Sequence, residues 1–350
     1  MSVAQIGKKI TVLGGGAFGT AMAHCAALNE LNQVTLYARD KDTVECINKF
    51  QINPKKLSQF KLSPKVTATN GIYEALQGAD CVISCIPTQQ ILPTMQQYKN
   101  IIPTDKPFVN CSKGMIVETE QFPSQAMHSI FGEDFKFYSL SGPSFADEIM
   151  KGNPTLLVLA GKEGEERNQI MEALSHKYLR IYGQEDVLGV EIAGAMKNVI
   201  SIGAGIIIGY GYGLNTVTGF VVKATHEMQL MAKFFGADPK TFFGLAGIGD
   251  LILTSFGSAS RNRTFGEKFG QGMNLAQIFQ TSTGVVEGYY TLDAIHKFAQ
   301  ENNLDMPIVD TIYKVVHGEL TIEQAATFLM SRKLSKEYNS MLDDLNDENK

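Results

Sequence analysis

A glycine-rich loop near the N-terminus is the sequence feature that most restricts how this chain can fold. An apolar, β-type run at residues 10–13 leads into Gly14-Gly-Gly-Ala-Phe-Gly19, and a helical pattern rich in alanine follows. In this order Gly14 permits a tight turn, Gly16 lets the backbone approach a pyrophosphate, and Gly19 lets the helix pack closely on the strand. The N-terminus of that helix would present N–H groups to phosphate. The pattern predicts a Rossmann-like dinucleotide site. A plain strand–turn–helix whose glycines serve only packing is the alternative.

The end of the second strand, at residues 33–38, bears on which dinucleotide is bound. Arg39 and Asp40 follow this strand directly. A carboxylate at this place binds the ribose hydroxyls of NAD(H), whereas an arginine accommodates the 2′-phosphate of NADP(H). Arg39 comes first and favours NADP(H), but a shift of one residue would favour NAD(H) through Asp40. A solvated arginine at a strand end is a third interpretation, so both cofactors stay open.

Short apolar runs continue to alternate with helical patterns through the first half of the chain. The further strand-type runs are residues 66–69, 79–86, 107–111, 137–140, 154–160 and 179–182. This alternation predicts an α/β fold with a doubly wound, predominantly parallel sheet. Ligands of such sheets lie at the carboxyl ends of the strands. Pro87, Lys113 and the loop from Ser141 to Ala146 follow three of these runs, so we expect them near cofactor or substrate. Surface solvation is the alternative for Lys113.

The pattern then changes, because strand-type runs stop and helical periodicity continues from Val187 to about Leu329. A chain of 350 residues is also long enough for two domains. We therefore predict a Rossmann-like dinucleotide-binding domain at residues 1–188, an all-α substrate-binding domain at 189–335 and a polar tail at 336–350.

The most unusual helical stretch is the apolar run that contains Lys197 and Asn198. Lysine is seldom fully buried without a partner, because removing its ammonium from water is costly. Gly194 and Gly205 lie in the same helix, and each weakens it by about 1 kcal/mol relative to alanine. A helix that keeps both glycines needs a close approach there, by a ligand or by another backbone. A core helix whose lysine extends to the surface is the alternative.

Three polar segments follow in the helical half. Asp250 and Thr254 would share a helical face, four residues apart. The segment Ser260-Arg-Asn-Arg263 clusters two guanidinium groups, whose planar forks match phosphate geometry. We interpret it as an anion pocket, with a solvated turn as the alternative. Glu287 is an acid flanked by glycines.

Composition argues against several kinds of partner. The net charge of −5 gives no electrostatic reason to expect nucleic acid or a polyanionic membrane. The five cysteines are scattered, which is typical of a reducing compartment, and the six histidines lack the spacing of a metal site. The N-terminus lacks a secretory pattern, and Lys197 interrupts the longest apolar run. We expect a soluble, cytoplasmic protein with no metal, no nucleic-acid partner and no integral membrane segment.

Taken in order, the motifs closely resemble those of the NAD(P)-dependent sn-glycerol-3-phosphate dehydrogenases over about residues 8–330. Each motif is modest alone, but the ordered set is specific. The motifs are Gly14-Gly-Gly-Ala-Phe-Gly-Thr-Ala, Ser112-Lys-Gly, Ser141-Gly-Pro-Ser-Phe-Ala, Ala195-Met-Lys-Asn-Val, Gly247-Ile-Gly-Asp-Leu, Ser260-Arg-Asn-Arg and Val285-Val-Glu-Gly.

The resemblance implies interconversion of dihydroxyacetone phosphate and sn-glycerol 3-phosphate by hydride transfer from or to NAD(P)(H). It makes Lys197 the proton donor and acceptor at the substrate oxygen, with Lys113, Asp250 and Asn198 beside it in the catalytic group. We expect Lys113 to lower the pKa of Lys197 by like-charge repulsion and Asp250 to orient its ammonium. The substrate-binding residues implied are Lys113, Gly142, Ser144, Lys197, Asp250, Thr254, Ser260, Arg261 and Asn262.

The glycine loop, the strand ends and the resemblance together predict the cofactor contacts. Alanine stands at position 17, where many relatives carry serine, so one hydroxyl contact is absent. The predicted cofactor-binding residues are Gly14, Gly16, Ala17, Phe18, Gly19, Arg39, Pro87, Lys113, Ala146, Arg261, Val285 and Glu287.

Two alternatives remain beside this function. β-Hydroxyacid dehydrogenases and ketopantoate-type reductases also join a dinucleotide domain to a helical domain with an active lysine, but they act on carboxylates and match these motifs less well. A non-catalytic NADP(H) sensor of the same fold is the alternative from another class, since fold does not fix function. The resemblance also implies a homodimer.

Overall fold

The computed structural model describes residues 8–282 and 284–334, so the tail predicted at 336–350 lies outside the described residues. The N-terminal half contains one eight-stranded sheet with the order β3-β2-β1-β4-β5-β6-β7-β8. Every neighbouring pair is parallel except β6 and β7, which are antiparallel. The predicted doubly wound, predominantly parallel sheet is therefore confirmed. The strands are β1 (Lys9–Leu13), β2 (Gln33–Tyr37), β3 (Val66–Thr69), β4 (Cys81–Ser84), β5 (Phe108–Asn110), β6 (Phe137–Ser141), β7 (Thr155–Ala160) and β8 (Leu179–Gln184).

Helices cover both faces of the sheet, as parallel strands buried on both sides require. Side chains of one strand alternate between the two layers, so that Ile83 packs on one face and Val82 on the other. Met22 of α1 lies in the first layer and Ile91 of α4 in the second. The helices of this half are α1 (Ala17–Ala26), α2 (Lys41–Phe50), α3 (Ile72–Leu76), α4 (Thr88–Gln97), α5 (Pro123–Phe131), α6 (Ala146–Met150) and α7 (Glu165–Leu174).

The second half is helical in the described residues, which confirms the predicted change of pattern. Its helices are α8 (Val187–Tyr210), α9 (Leu214–Phe235), α10 (Asp250–Phe256), α11 (Arg261–Gly270), α12 (Leu275–Thr281), α13 (Glu287–Glu301), α14 (Pro307–Val316) and α15 (Ile322–Met330). A 3₁₀ turn at Pro239–Phe243 and a π-type turn at Leu245–Gly249 connect α9 to α10. Together these helices enclose one large apolar core.

Helix α8 is the centre of that core. By length and composition it is apolar enough to cross a membrane, but 83% of its most apolar window is buried inside the protein. It packs against α9, α10, α11 and α13. These contacts identify α8 as a core helix.

Glycines let α8 and α11 pack backbone against backbone. A Cβ added at Gly205 would lie 2.1 Å from the carbonyl oxygen of Arg263, and one added at Gly266 would lie 2.0 Å from that of Ile202. No side chain fits at either place, because real Cβ atoms do not approach oxygen so closely. The close approach expected at Gly205 is therefore made by another backbone. At Gly194 the neighbour is the side chain of Lys113, whose Cγ would lie 3.3 Å from an added Cβ.

Candidate active site

The sheet brings the predicted residues of the first half to one edge. Strand order reverses between β1 and β4, and in open α/β sheets the ligand crevice lies at such a reversal, beyond the carboxyl ends of the strands. The glycine loop follows β1, Pro87 follows β4, Lys113 follows β5 and Gly142 follows β6. Because these strands are parallel neighbours, their carboxyl ends meet at the same edge.

Two lysines from different halves of the chain share one buried carboxylate at this edge. Lys113 Nζ lies 2.6 Å from Asp250 Oδ2, and Lys197 Nζ lies 3.2 Å from Asp250 Oδ1. The Asp250 side chain is 2% exposed, and those of Lys113 and Lys197 are 16% and 10% exposed. Two cations against one carboxylate leave a net charge of +1, in a chain whose total charge is −5. This excess of positive charge suits an anionic ligand.

Each of the two ammonium groups keeps one donor for a ligand. Lys197 Nζ also donates to Thr254 Oγ1 at 2.8 Å, and Lys113 Nζ also donates to the carbonyl oxygen of Gly142 at 3.0 Å. Among the described residues these contacts and Asp250 are the acceptors that each ammonium has, and an ammonium has three N–H donors. Thr254 donates in turn to Asp250 Oδ1 at 3.1 Å, one helical turn away on α10.

Burial and charge shift the proton affinities of this cluster. Burial lowers the pKa of Lys197 to about 8; Asp250 opposes the shift, whereas Lys113 and Arg261 add to it. Like-charge repulsion from Lys113 thus contributes, as expected, but desolvation is the larger cause. Burial alone would raise the pKa of Asp250, but the two ammonium groups outweigh it and hold that pKa below its usual value.

A chain of amides fixes this cluster to the neighbouring helices. Asn198 Nδ2 donates to the carbonyl oxygen of Lys113 at 2.9 Å, and Asn262 Nδ2 donates to Asn198 Oδ1 at 2.7 Å. The backbone N–H of Gly288 donates to Asn262 Oδ1 at 3.0 Å. These bonds join the loop after β5 to α8, α11 and α13. The side-chain carbonyl oxygens of Asn198 and Asn262 therefore accept hydrogen bonds that hold these helices in place around the lysine cluster.

The residues at the start of α11 have two different roles: one stabilises the helix, and another is exposed where a ligand could reach it. Ser260 is the N-cap of this helix, and its hydroxyl accepts from the backbone N–H of Arg263 at 3.2 Å. Arg261 is exposed, and its Nη1 would lie 2.9 Å from a Cβ added at Gly284. The guanidinium of Arg261 therefore lies against the loop that precedes Glu287.

The glycine loop has the shape that a dinucleotide needs. An added Cβ at Gly19 would lie 2.0 Å from the carbonyl oxygen of Gly14, so the loop folds tightly against the start of α1. At Gly16 an added Cβ would meet nothing within 4 Å, so this backbone faces open space. Gly16 is also the N-cap of α1, and no side chain caps the helix. Ala17 and Phe18 begin the same helix, beside this open N-terminus.

Glu287 closes the other side of the crevice. Its Oε1 accepts from the backbone N–H of Thr88, the first residue of α4 after Pro87, at 3.1 Å. Its Oε2 is buried and lacks a hydrogen-bond partner in the part of the chain that the structure describes. Burial raises the pKa of Glu287. A buried oxygen without a partner is costly, and a ligand that donates a hydrogen bond would satisfy it. Val285 lies two residues before it and is 38% exposed.

The remaining predicted residues lie around this cluster. Ser144 donates its hydroxyl to the carbonyl oxygen of Gly142 at 2.9 Å, and Ala146 begins α6. Arg39 lies exposed after β2. Two further residues at this edge, Thr88 and Asn53, belong to none of the predicted motifs. Thr88 follows a strand-ending proline, which was a usable signal, whereas nothing local to Asn53 indicated its contact with the glycine loop.

A predominantly parallel sheet with a glycine loop, faced by a helical half that carries a buried lysine, is the architecture of the nicotinamide-dependent dehydrogenases with a helical second domain. Comparison with known proteins identifies the family. Residues 9–167 match the model of the NAD-dependent glycerol-3-phosphate dehydrogenase N-terminus, and residues 186–327 match that of its C-terminus. The chain belongs to the NAD-dependent glycerol-3-phosphate dehydrogenase family.

Individual relatives agree with this assignment. A glycerol-3-phosphate dehydrogenase [NAD(P)+] of Mesorhizobium japonicum is 38% identical over 331 residues, covering 95% of this chain and 94% of the relative. One of Staphylococcus aureus is 34% identical, covering 94% and 99%. The crystal structure of glycerol-3-phosphate dehydrogenase from Coxiella burnetii superposes with a TM-score of 0.87 at 27% identity, covering 93% of this chain and 99% of the other.

Proposed function

We propose that this protein interconverts dihydroxyacetone phosphate and sn-glycerol 3-phosphate with NAD(P)(H), Lys197 being the proton donor and acceptor. The observation that carries the proposal is the pair of buried ammonium groups on Asp250, each with one free donor, at the carboxyl edge of a dinucleotide-type sheet. Burying two cations and one anion is costly, and the net charge of +1 that results suits both the binding of an anionic substrate and the transfer of a proton at its ketone oxygen.

The residues present fit a nicotinamide dinucleotide. When bound, this cofactor would supply the hydride for reduction and accept it during oxidation. The open backbone at Gly16 and the uncapped N-terminus of α1 would hold its pyrophosphate. The unpartnered Oε2 of Glu287 would accept from an amide donor. Lys113, at the end of β5, would lie between cofactor and substrate. The other residues that we assign to the cofactor are Gly14, Ala17, Phe18, Gly19, Arg39, Pro87, Ala146, Arg261 and Val285.

The polar groups of the helical half would then bind the substrate. The free donor of Lys197 would meet the ketone oxygen, where negative charge develops during reduction, and would deliver the proton there. Asp250 and Thr254 would hold that ammonium in place. The exposed guanidinium of Arg261 would bind the substrate phosphate. Since the side chain of Asn262 already joins Asn198 and Gly288, we infer that it positions this region in addition to any contact with phosphate.

Three wider assignments complete the proposal. We infer a division between a dinucleotide-binding domain and a substrate-binding domain at residues 188/189, in the first turn of α8. Cytoplasmic location agrees with five cysteines that form no disulfide. A homodimer follows from the resemblance to the family.

Steady-state reduction of dihydroxyacetone phosphate, with NADPH and NADH in parallel, tests the reaction. We expect loss of dinucleotide absorbance that depends on this substrate and not on ketopantoate or a β-keto acid of similar size. Turnover of the carboxylate substrates alone would move the protein to the reductases that share its fold. Binding of dinucleotide without oxidation by any of these substrates would support the sensor.

The lowered pKa of Lys197 predicts opposite pH dependences for the two directions. Reduction needs the protonated lysine, so we expect its kcat/KM for dihydroxyacetone phosphate, which reports groups of the enzyme before substrate binds, to fall as the pH rises above about 8. Oxidation of sn-glycerol 3-phosphate needs the neutral lysine, so its kcat/KM should rise through the same range. Both profiles can be measured at saturating cofactor. If both directions respond to pH with the same sign, Lys197 is not the proton carrier.

A further inference from the structure

A short turn after α2 is tied to the glycine loop by one buried side chain. Asn53 is 1% exposed, and its Nδ2 donates to the carbonyl oxygen of Gly15 at 3.1 Å and to Thr20 Oγ1 at 2.8 Å. Its Oδ1 accepts from the backbone N–H groups of Lys55 and Lys56, both at 3.1 Å. The amide nitrogen of Asn53 thus holds the turn against the glycine loop, and its amide oxygen stabilises the turn itself.

This turn places Lys55 on the carboxylate at the end of β2. Lys55 Nζ lies 2.7 Å from Asp40 Oδ1, and Asp40 Oδ2 accepts from the backbone N–H of Thr43 at 2.8 Å as the N-cap of α2. The contacts with Lys55 and Thr43 lower the pKa of Asp40 to about 2, so the carboxylate stays ionised at neutral pH. Both oxygens of Asp40 are engaged. Lys55 and Thr43 therefore compete for the Asp40 oxygens with the pair of ribose hydroxyls by which a carboxylate selects NAD(H).

We propose that Lys55, held in place by Asn53, joins Arg39 in binding the 2′-phosphate of the cofactor and makes this enzyme prefer NADP(H). Arg39 lies exposed directly after β2, and the Lys55 side chain is 59% exposed, so both cations are accessible. Arg39, Asp40 and Lys55 together carry a net charge of +1. Without Lys55 the charges of Arg39 and Asp40 cancel, and a phosphate dianion would lose one of the two cations proposed to bind it.

The simpler explanation is that Lys55 and Asp40 form a surface ion pair. Such pairs contribute little to stability, and they carry no preference between cofactors. The two explanations differ in what Lys55→Met does to recognition of the 2′-phosphate. This inference rests on the proposed use of a nicotinamide dinucleotide, so the test separates loss of discrimination from loss of nucleotide binding.

Calorimetric titration of the full chain with adenosine 2′,5′-bisphosphate and with 5′-AMP isolates the 2′-phosphate without turnover. We expect Lys55→Met to weaken binding of the bisphosphate by about tenfold, as for loss of one charge-assisted hydrogen bond, and to change 5′-AMP binding by less than about twofold. Lys61→Met, which removes an exposed lysine a few residues beyond the turn, is the matched control and should leave both affinities unchanged. The ratio of kcat/KM for NADPH over NADH should fall in Lys55→Met by the same factor as the bisphosphate affinity.

A second variant changes the same site in the opposite direction. Asp40→Asn keeps an oxygen for the N-cap of α2 but removes the charge that faces the 2′-phosphate, so bisphosphate affinity should rise. The inference is overturned if Lys55→Met binds the bisphosphate like the wild type, or if the wild type binds both nucleotides equally; the reaction itself would stand in either case. Failure of the wild type to bind any adenine nucleotide or dinucleotide would overturn the proposed function as well.

Discussion

Replacing Lys197 with methionine is expected to lower kcat for dihydroxyacetone phosphate reduction by about 10³-fold, on the order of 4 kcal/mol in the activation free energy. Two losses combine in this figure. The ketone oxygen loses a positioned ammonium that stabilises its developing charge, and it loses the proton that this ammonium delivers. Asp250 would keep its 2.6 Å contact with Lys113, so the variant does not leave a buried carboxylate alone.

Methionine is suited to this test because it fills the volume of the lysine without its charge. The Lys197 side chain is 10% exposed, so removing its desolvation cost should leave the folded protein at least as stable. Dinucleotide affinity should stay within about threefold of the wild type, since the glycine loop and Arg39 are untouched. Lys162→Met, at an exposed lysine, is the control and should retain wild-type turnover. A Lys197→Met enzyme with kcat within about tenfold of the wild type would refute the assigned role.

Features of the fold that depend only on residues close together in the chain could be predicted from the sequence. The glycine loop after β1 and the alternation of strands with helices each depend on neighbouring residues, so their pattern predicts the sheet. The direction of β7 was not predictable, because an apolar run has the same pattern in a parallel and an antiparallel strand. The sequence predicted that the second half is all helical, but it did not predict which helices pack against each other.

The active site required contacts between distant parts of the chain. Lys197 and Asp250 are 53 positions apart, and Thr88 and Glu287 are 199 apart. An unusual lysine in an apolar helix indicates that a partner is needed, but not which acid supplies it. Asp250 was predicted as that acid only because the ordered motifs resemble those of a known family. Asn53 belongs to no motif and contacts Gly15 across 38 positions, so only the folded structure showed it.

Replacing Gly205 with alanine is expected to destabilise the protein by about 2–4 kcal/mol, because the added methyl group has no room. Its Cβ would lie 2.1 Å from the carbonyl oxygen of Arg263, and a backbone oxygen cannot turn aside as a flexible side chain can. Helices α8 and α11 would have to separate. Alanine favours the helix by about 1 kcal/mol relative to glycine, which is too little to offset this. In thermal unfolding we expect a midpoint on the order of 5–10 °C lower.

Gly219 in α9 provides the matched control for this substitution. An added Cβ there would meet nothing within 4 Å, and the residue is exposed in a helix interior. Gly219→Ala should therefore raise the unfolding midpoint by a few degrees, through about 1 kcal/mol of helix propensity.

The two glycine variants should also differ in activity below their unfolding midpoints. Separation of α8 from α11 would stretch the 2.7 Å bond between Asn198 and Asn262, and with it the support of Lys113. We expect kcat to fall in Gly205→Ala, assayed where it remains folded, and to stay at the wild-type value in Gly219→Ala. If Gly205→Ala raises the unfolding midpoint as Gly219→Ala does, the backbones of α8 and α11 leave room for a methyl group, and the close packing inferred here is wrong. If Gly205→Ala loses stability but keeps full kcat, the amide chain tolerates the shift and does not position Lys113.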